Sequence, residues 1–205
     1  MNALEIKKLK KSFLSNSMFR RIKILEDVTL STGQGEIYGF LGPNGAGKTT
    51  TIKMLSSLLK PTSGTATVNG FNIAESPMKI KEIIGVSPQE TAIAEHLTSK
   101  ENLHLIGGIY GLKNTELKSR AKNLMDLLEI EDRKDQARRL SGGLKRRLSI
   151  AMALMSDPEI LFLDEPTLGL DPFARKSIWN YIEKLKSSKT ILLTTHYLEE
   201  ADALA

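Results

Sequence analysis

Apolar and polar positions follow two rhythms along this chain. Short runs with β-branched and aromatic character at residues 3–9, 24–30, 36–41, 65–69 and 83–86 read as strands. After the third of these the period lengthens, and Ile52, Leu55, Leu58 and Leu59 fall on one face of a helix predicted over 47–59, with Pro61 enforcing its end. From about residue 90 to 155 helical periodicity dominates and strand signals disappear. Thr98 and Glu101 form a capping box that opens one helix, and 116–129 gives another. Beyond Pro158 the alternation returns, with a strand at 160–163, a helix over 172–186 and a strand at 190–194. Strands alternating with helices predict an α/β fold, a mostly parallel sheet with helices on both faces. The expected organisation is one domain over 1–205, its core formed by about 1–89 and 156–205, with a helical lobe of about 90–155 inserted. The first two strands, flanking a polar and basic connection at 15–21, make a small N-terminal antiparallel part. No internal repeat is present.

Composition narrows the classes. A chain of 205 residues that is 40% hydrophobic and 26% charged has enough material for a core, which excludes wholesale disorder, collagen and coiled coil. Without cysteine there is neither a disulfide scaffold nor a thiolate metal site. No apolar run approaches the roughly 18–20 residues needed to span a bilayer, and the basic start is followed by no secretory h-region, so a cytoplasmic chain is expected. The net charge of +5 is uneven. Lys7, Lys8, Lys10, Lys11, Arg20, Arg21 and Lys23 face Glu5 alone at the N-terminus, and Arg138, Arg139, Lys145, Arg146 and Arg147 surround a serine-glycine turn. Such clusters suit an anionic partner or a solvated face. Aromatic interleaving and a groove-reading helix are both missing, so nucleic acid is not expected.

The chemistry is concentrated in three places. Gly42-Pro43-Asn44-Gly45-Ala46-Gly47-Lys48-Thr49 satisfies G-x-x-x-x-G-K-[ST], straight after a strand and opening a helix that continues with Thr50. Glycines let successive N–H groups turn inward around phosphate oxygens, and the positive end of the helix dipole adds to the attraction. Lys48 can then reach the β- and γ-phosphates while the Thr49 hydroxyl ligates Mg²⁺. The strand at 160–163 ends in Asp164 and Glu165, and ligands bind beyond the carboxyl ends of parallel strands. Asp164 is placed to hold Mg²⁺, directly or through water, and Glu165 to polarise the attacking water. Finally, Leu140-Ser141-Gly142-Gly143 precedes a helix with the apolar stripe Leu144, Leu148, Ala151, Met152 and Met155. Ser141 is a good N-cap, and the glycines allow close approach to the helix end. Lys145, Arg146 and Arg147 follow at the positive end of a dipole, each unfavourable by about 0.3–1 kcal/mol unless an anion or solvent faces it.

Phosphate loop, Gln89 after a strand, the turn at 140–143, Asp164-Glu165, Asp171 and His196 occur in an order that resembles the ATP-binding subunits of ABC transporters over essentially the whole chain. The resemblance implies a P-loop NTPase (RecA-like) core using ATP and Mg²⁺, with ATP bound and hydrolysed between two subunits in head-to-tail arrangement. Ser141 and Gly143, with Gly142 between them, would contact the γ-phosphate held by the other subunit's phosphate loop. Gln89 would sense Mg²⁺ and the membrane partner, His196 would contact the γ-phosphate, and Asp171 would cross the dimer interface. Phe13 stands where the family places a ring that stacks on adenine, and Phe19 competes for that role. Leu144 departs from the glutamine common in the family, which removes a side-chain hydrogen bond and leaves the serine and glycine contacts intact. The apolar-then-basic sequence after Gly143, and residues 196–202, are similar to the drug-exporter and antibiotic-resistance branch.

The implied function is ATP-driven transport, with export the expected direction, through a separate integral membrane subunit at the inner face of the cell membrane. A second ATP-binding subunit, identical or different, completes the site. The alternative is a soluble ABC-type ATPase acting on nucleic acid or ribosomes, but the paired halves or long coiled coil of such relatives are missing. A P-loop GTPase would need an Asn-Lys-x-Asp segment, which the chain lacks. His96 and His104 lack ligand spacing and read as surface or packing residues, and Trp179 and Tyr181 as core and boundary residues. Leu198, Ala201 and Leu204 begin an apolar stripe where the chain stops. The resemblance implies further strands there, so the expectation is a C-terminally truncated domain with its ATP-contacting motifs present and an apolar edge uncovered.

Overall fold

The computed structural model describes residues 2–14, 21–186 and 188–204, so Phe19 and most of the basic connection lie outside the described residues. The chain opens with β1 (Asn2–Leu14), β2 (Arg21–Gly33) and β3 (Ile37–Leu41), then α1 (Lys48–Leu55), β4 (Ser63–Val68) and β5 (Phe71–Asn72). There follow α2 (Pro77–Ile83), β6 (Ile84–Ser87), α3 (Ser99–Ile109), α4 (Asn114–Leu127) and α5 (Gly142–Leu154). The last elements are β7 (Ile160–Asp164), α6 (Pro172–Leu185), β8 (Thr190–Thr195) and α7 (Leu198–Leu204). One sheet is antiparallel, in the order β2-β1-β4-β5; the other is parallel, in the order β3-β8-β7-β6.

The two-residue period of the strands builds two cores. On β7, Ile160 and Phe162 face one side and Leu161 and Leu163 the other; on β8, Leu192 opposes Ile191 and Leu193. The first side packs on α1 through Ile52, Met54 and Leu55, and beyond it on Ala3, Leu4, Ile6 and Leu9 of the antiparallel sheet. The second side packs on α5 and α6 and on the α3 and α4 residues Leu103, Ala121 and Met125. The helix carrying the phosphate loop is therefore clamped between the sheets. Gly85 of β6 lies against the Ala153 carbonyl of α5, where a Cβ would overlap the backbone.

Several elements depart from the sequence reading. β1 and β2 run well past 3–9 and 24–30, because cross-strand pairing carries polar segments such as Lys11↔Leu25 and Ser12↔Lys23. α1 stops at Leu55, since Ser57 turns left-handed (φ 56°) and Leu58 and Leu59 both donate to the Lys53 carbonyl. β5 and α2 were not expected, although Asn69-Gly70, both at positive φ, is a two-residue hairpin signal. The capping box is present as expected: Thr98 Oγ1 accepts from Glu101 N at 3.2 Å and Glu101 Oε2 from Thr98 N at 2.8 Å. Of the apolar stripe at 198–204, Leu204 is buried and Leu198 exposed.

Candidate functional site

The phosphate loop leaves β3 beside the end of β8, where Gly42 N–H donates to the Thr195 carbonyl at 3.1 Å. Gly45 (φ 84°) and Gly47 (φ 90°) are left-handed. Gly47 is also crowded, since a Cβ there would stand 2.9 Å from the Ile24 carbonyl of β2. Among the described residues no backbone carbonyl accepts from the N–H groups of Gly45, Gly47, Lys48 or Thr49. A row of unspent donors at a helix N-terminus is what phosphate oxygens require.

Lys48 is buried, and its Nζ donates to the carbonyls of Gly42 (2.6 Å) and Pro43 (3.1 Å) and pairs with Glu165 Oε1 at 2.9 Å. The second oxygen, Glu165 Oε2, lies 2.7 Å from His196 Nδ1. Glu165 is buried at φ 50°, a left-handed conformation that costs a non-glycine residue about 1–3 kcal/mol and that collects at functional sites. Thr194 of β8 holds it: Glu165 N–H donates to both the carbonyl (3.1 Å) and the Oγ1 (2.9 Å) of Thr194. The same hydroxyl donates to Asp164 Oδ1 at 2.6 Å. One oxygen thus fixes both candidate acids. Beyond them, Glu200 Oε1 accepts from Thr167 Oγ1 (3.0 Å) and Trp179 Nε1 (2.9 Å), tying the segment after Glu165 to α7.

Thr49, Gln89 and Asp164 line one cavity of about 440 Å³ with Pro88 and Glu90. A hydroxyl, an amide oxygen and a carboxylate are hard donors, suited to Mg²⁺, which keeps several waters and takes substrate phosphates as further ligands. Among the described residues no three His, Cys, Asp or Glu side chains gather into a metal site.

The serine-glycine turn lies elsewhere. Ser141 caps α5, its Oγ accepting from Leu144 N at 3.3 Å, as its residue type predicts. Gly142 and Gly143 face Leu170 and Ala174. Among the described residues, no hydrogen bond or ion pair joins this turn to the phosphate loop. Asp171 caps α6, its Oδ1 accepting from Phe173 and Ala174 N–H, both at 3.0 Å. The cations after the turn face partners within the chain rather than solvent. Lys145 pairs with Glu95 (3.3 Å), Arg147 donates to Ser177 Oγ (2.9 Å), and the buried Arg146 holds two carbonyls. Of the N-terminal cations, Lys7, Lys10 and Lys23 pair with Glu5, Asp27 and Glu26. Phe13 is half-exposed on β1 opposite Ile22, two residues from the Ile24 carbonyl that bounds Gly47, with Lys11 over its ring. His96 is exposed and His104 half-buried.

The parallel sheet, with its phosphate loop at the end of β3 and its acids at the end of β7, defines a P-loop NTPase. A family model described as ABC transporter matches residues 25–168, and the chain belongs to that family. It is 43% identical over 183 residues to the linearmycin resistance ATP-binding protein LnrL of Bacillus subtilis, covering 88% of this chain and 59% of that protein. It is 40% identical over 181 residues to the phospholipid-transporting ATPase ABCA3 of Mus musculus, covering 88% of this chain and 11% of that much longer protein. Among solved structures it is similar to the ATP-binding cassette MJ0796 in a dimeric post-hydrolysis state bound to ADP and Pi, with a TM-score of 0.87 at 28% identity, covering 98% of this chain and 91% of that one.

Two residues of this site were not singled out for it from sequence. Thr194 carried a faint signal as a hydroxyl at the carboxyl end of a buried strand. Arg146 carried a clearer one, since it precedes the buried Ile150 and Ala153 by four and seven residues on one helical face.

Proposed function

We propose that this chain binds Mg²⁺-ATP at its phosphate loop and hydrolyses it across a head-to-tail dimer of cassettes, powering export through a separate membrane subunit. The observation that carries the reading is the bridging of Lys48 and His196 by Glu165, beside a cavity that gathers Thr49, Gln89 and Asp164. Lys48 exchanges the loop carbonyls and Glu165 for β- and γ-phosphate oxygens, and the free N–H groups at the start of α1 accept the remaining charge. Glu165, released from Lys48 and still oriented by His196 and Thr194, takes a proton from the attacking water. Thr49, Asp164 and Gln89 would hold Mg²⁺, which would neutralise phosphate charge when bound. Ser141, Gly142 and Gly143 present an exposed helix N-terminus suited to the γ-phosphate on the opposite subunit, and Asp171 and the exposed Phe173 stand beside that turn.

The solved cassette to which the chain is similar is dimeric and bound to ADP and Pi, and LnrL is named as a resistance ATP-binding protein; both support the reading. No helix among the described residues is long and apolar enough to cross a membrane; the transport path is proposed to lie in a membrane partner. An apolar cavity of about 430 Å³ beside Gln89, lined by Leu58, Val86, Pro88, Ile106 and Tyr110, is the proposed seat of that partner. Nucleotide competition tests the site: ATP and not GTP should displace a fluorescent ATP analogue. ATPase stimulation by membranes carrying the partner is expected, and stimulation by nucleic acid in its place would favour the soluble alternative. Native co-purification from membranes with mass spectrometry would identify the partner.

A further inference from the structure

Arg146 is 5% exposed, yet among the described residues no carboxylate forms an ion pair with it. Burial pulls its pKa below the ordinary arginine value, while the charges of Asp164, Glu165 and Glu200 push it back up. Its planar fork is spent on main chain: Nη1 donates to the Pro88 carbonyl at 2.8 Å and Nη2 to the Gln89 carbonyl at 2.7 Å. A desolvated guanidinium is costly unless its donors are well matched, and two short charge-assisted bonds to successive carbonyls provide that match. They also complete a ladder between β6 and α5. Gly85 lies against the Ala153 carbonyl, Ser87 Oγ meets Ser149 Oγ at 2.9 Å, and Pro88 and Gln89 meet Arg146. The last rung stands three residues from Gly143, at the start of α5.

We propose that Arg146 is a positioning residue that fastens the Gln89 backbone to α5, so that the reach of Gln89 toward the metal is set from the helix that begins at the Ser141–Gly143 turn. The Gln89 side chain is exposed and has no hydrogen bond of its own among the described residues, so its placement depends on its backbone. Lysine cannot substitute fully, because a point charge on a flexible stem lacks the fork that grips two carbonyls. The inference rests on the proposed role of Gln89 at the Mg²⁺ site.

The test is a double-mutant cycle in the full chain using R146M, R146K and Q89A, read by kcat, half-saturating Mg²⁺ and affinity for a fluorescent ATP analogue in EDTA. R146M should lower kcat by about tenfold or more and raise the Mg²⁺ requirement, as expected for loss of charge-assisted bonds. Metal-free nucleotide affinity should stay within about twofold of wild type, because the phosphate loop is untouched. R146K should fall between the two. In a Q89A background R146M should change kcat by less than about twofold, because no side chain remains to be positioned. Losses that multiply in the double variant would overturn the proposal, as would an R146M that melts earlier but keeps the wild-type Mg²⁺ requirement. R146K, which retains the charge, carries the same comparison if R146M does not fold. A wild-type chain without Mg²⁺-dependent ATPase activity would instead overturn the reading on which the inference rests.

Discussion

Replacing Thr194 by valine removes a single oxygen from a fully buried position while keeping the shape of the side chain nearly intact. That oxygen makes two bonds, donating to Asp164 Oδ1 at 2.6 Å and accepting from Glu165 N–H at 2.9 Å. Glu165 N–H keeps the Thr194 carbonyl at 3.1 Å, so no backbone donor is orphaned, and the loss falls mainly on Asp164. A hydrogen bond to a charged group contributes about 1.5–3 kcal/mol, equivalent to roughly 10- to 100-fold in an equilibrium constant. Partners that orient metal ligands typically contribute about 10- to 100-fold to metal affinity or activity, the same range. Thr194→Val should therefore raise the half-saturating Mg²⁺ concentration in a steady-state ATPase assay by about an order of magnitude and lower kcat, with Thr194→Ser recovering most of both. A valine variant within about twofold of wild type in both parameters, and equally stable to heat, would show that the hydroxyl orients neither acid.

Three further perturbations probe separate parts of the structure. Gly85→Ala forces a Cβ against the Ala153 carbonyl and within 2.9 Å of the Pro158 ring; it should cost about 1–3 kcal/mol in urea denaturation, and unchanged stability would contradict the close packing of α5 on β6. Phe13→Ala should weaken ATP binding by roughly fivefold or more, as loss of base stacking implies, and leave inorganic triphosphate unaffected; equal weakening of both would remove Phe13 from the adenine site. Asp157 is held below its ordinary carboxylate pKa by hydrogen bonds from Lys189 and Arg120, so its stabilisation is present above the unfolded value near 3.8 and is lost as pH falls through the lower folded one. Because this carboxylate is 61% exposed, Asp157→Asn should cost less than about 1 kcal/mol at neutral pH, and the difference should vanish in acid; a difference that grows in acid would contradict the assignment.

How legible each feature was depended on how local its cause is. The phosphate loop, the Ser141 cap and the Thr98–Glu101 box are written in consecutive residues, because each is a bargain between a side chain and the backbone a few positions away. The Asn69-Gly70 hairpin is equally local, a two-residue turn signal at positive φ. The extension of β1 and β2 could not be read locally, since Lys11 and Ser12 are strand residues only through their partners across the sheet. Nor could the early stop of α1, where a serine takes the left-handed conformation usually left to glycine. The cations after Gly143 were visible, but whether they faced solvent, a ligand or protein was set by β6 and α6, far away in sequence. The same holds for Thr194 and for the Lys48–Glu165 pair. The residue types predict a phosphate and metal site, and only the tertiary contacts show which of these groups orient which.

The proposed head-to-tail ATP site is tested most directly by the mass in solution of the Glu165→Gln variant in the presence of Mg²⁺-ATP, followed alongside its turnover. Glutamine keeps the shape of the side chain and a hydrogen bond to His196 but cannot take a proton from water. Hydrolysis should slow by about a hundredfold or more, the typical contribution of a general base, while ATP binding persists. Light scattering should then report twice the monomer mass with ATP and a monomer with ADP. A variant that stays monomeric in ATP and turns over at the wild-type rate would contradict both the role of Glu165 and the shared site.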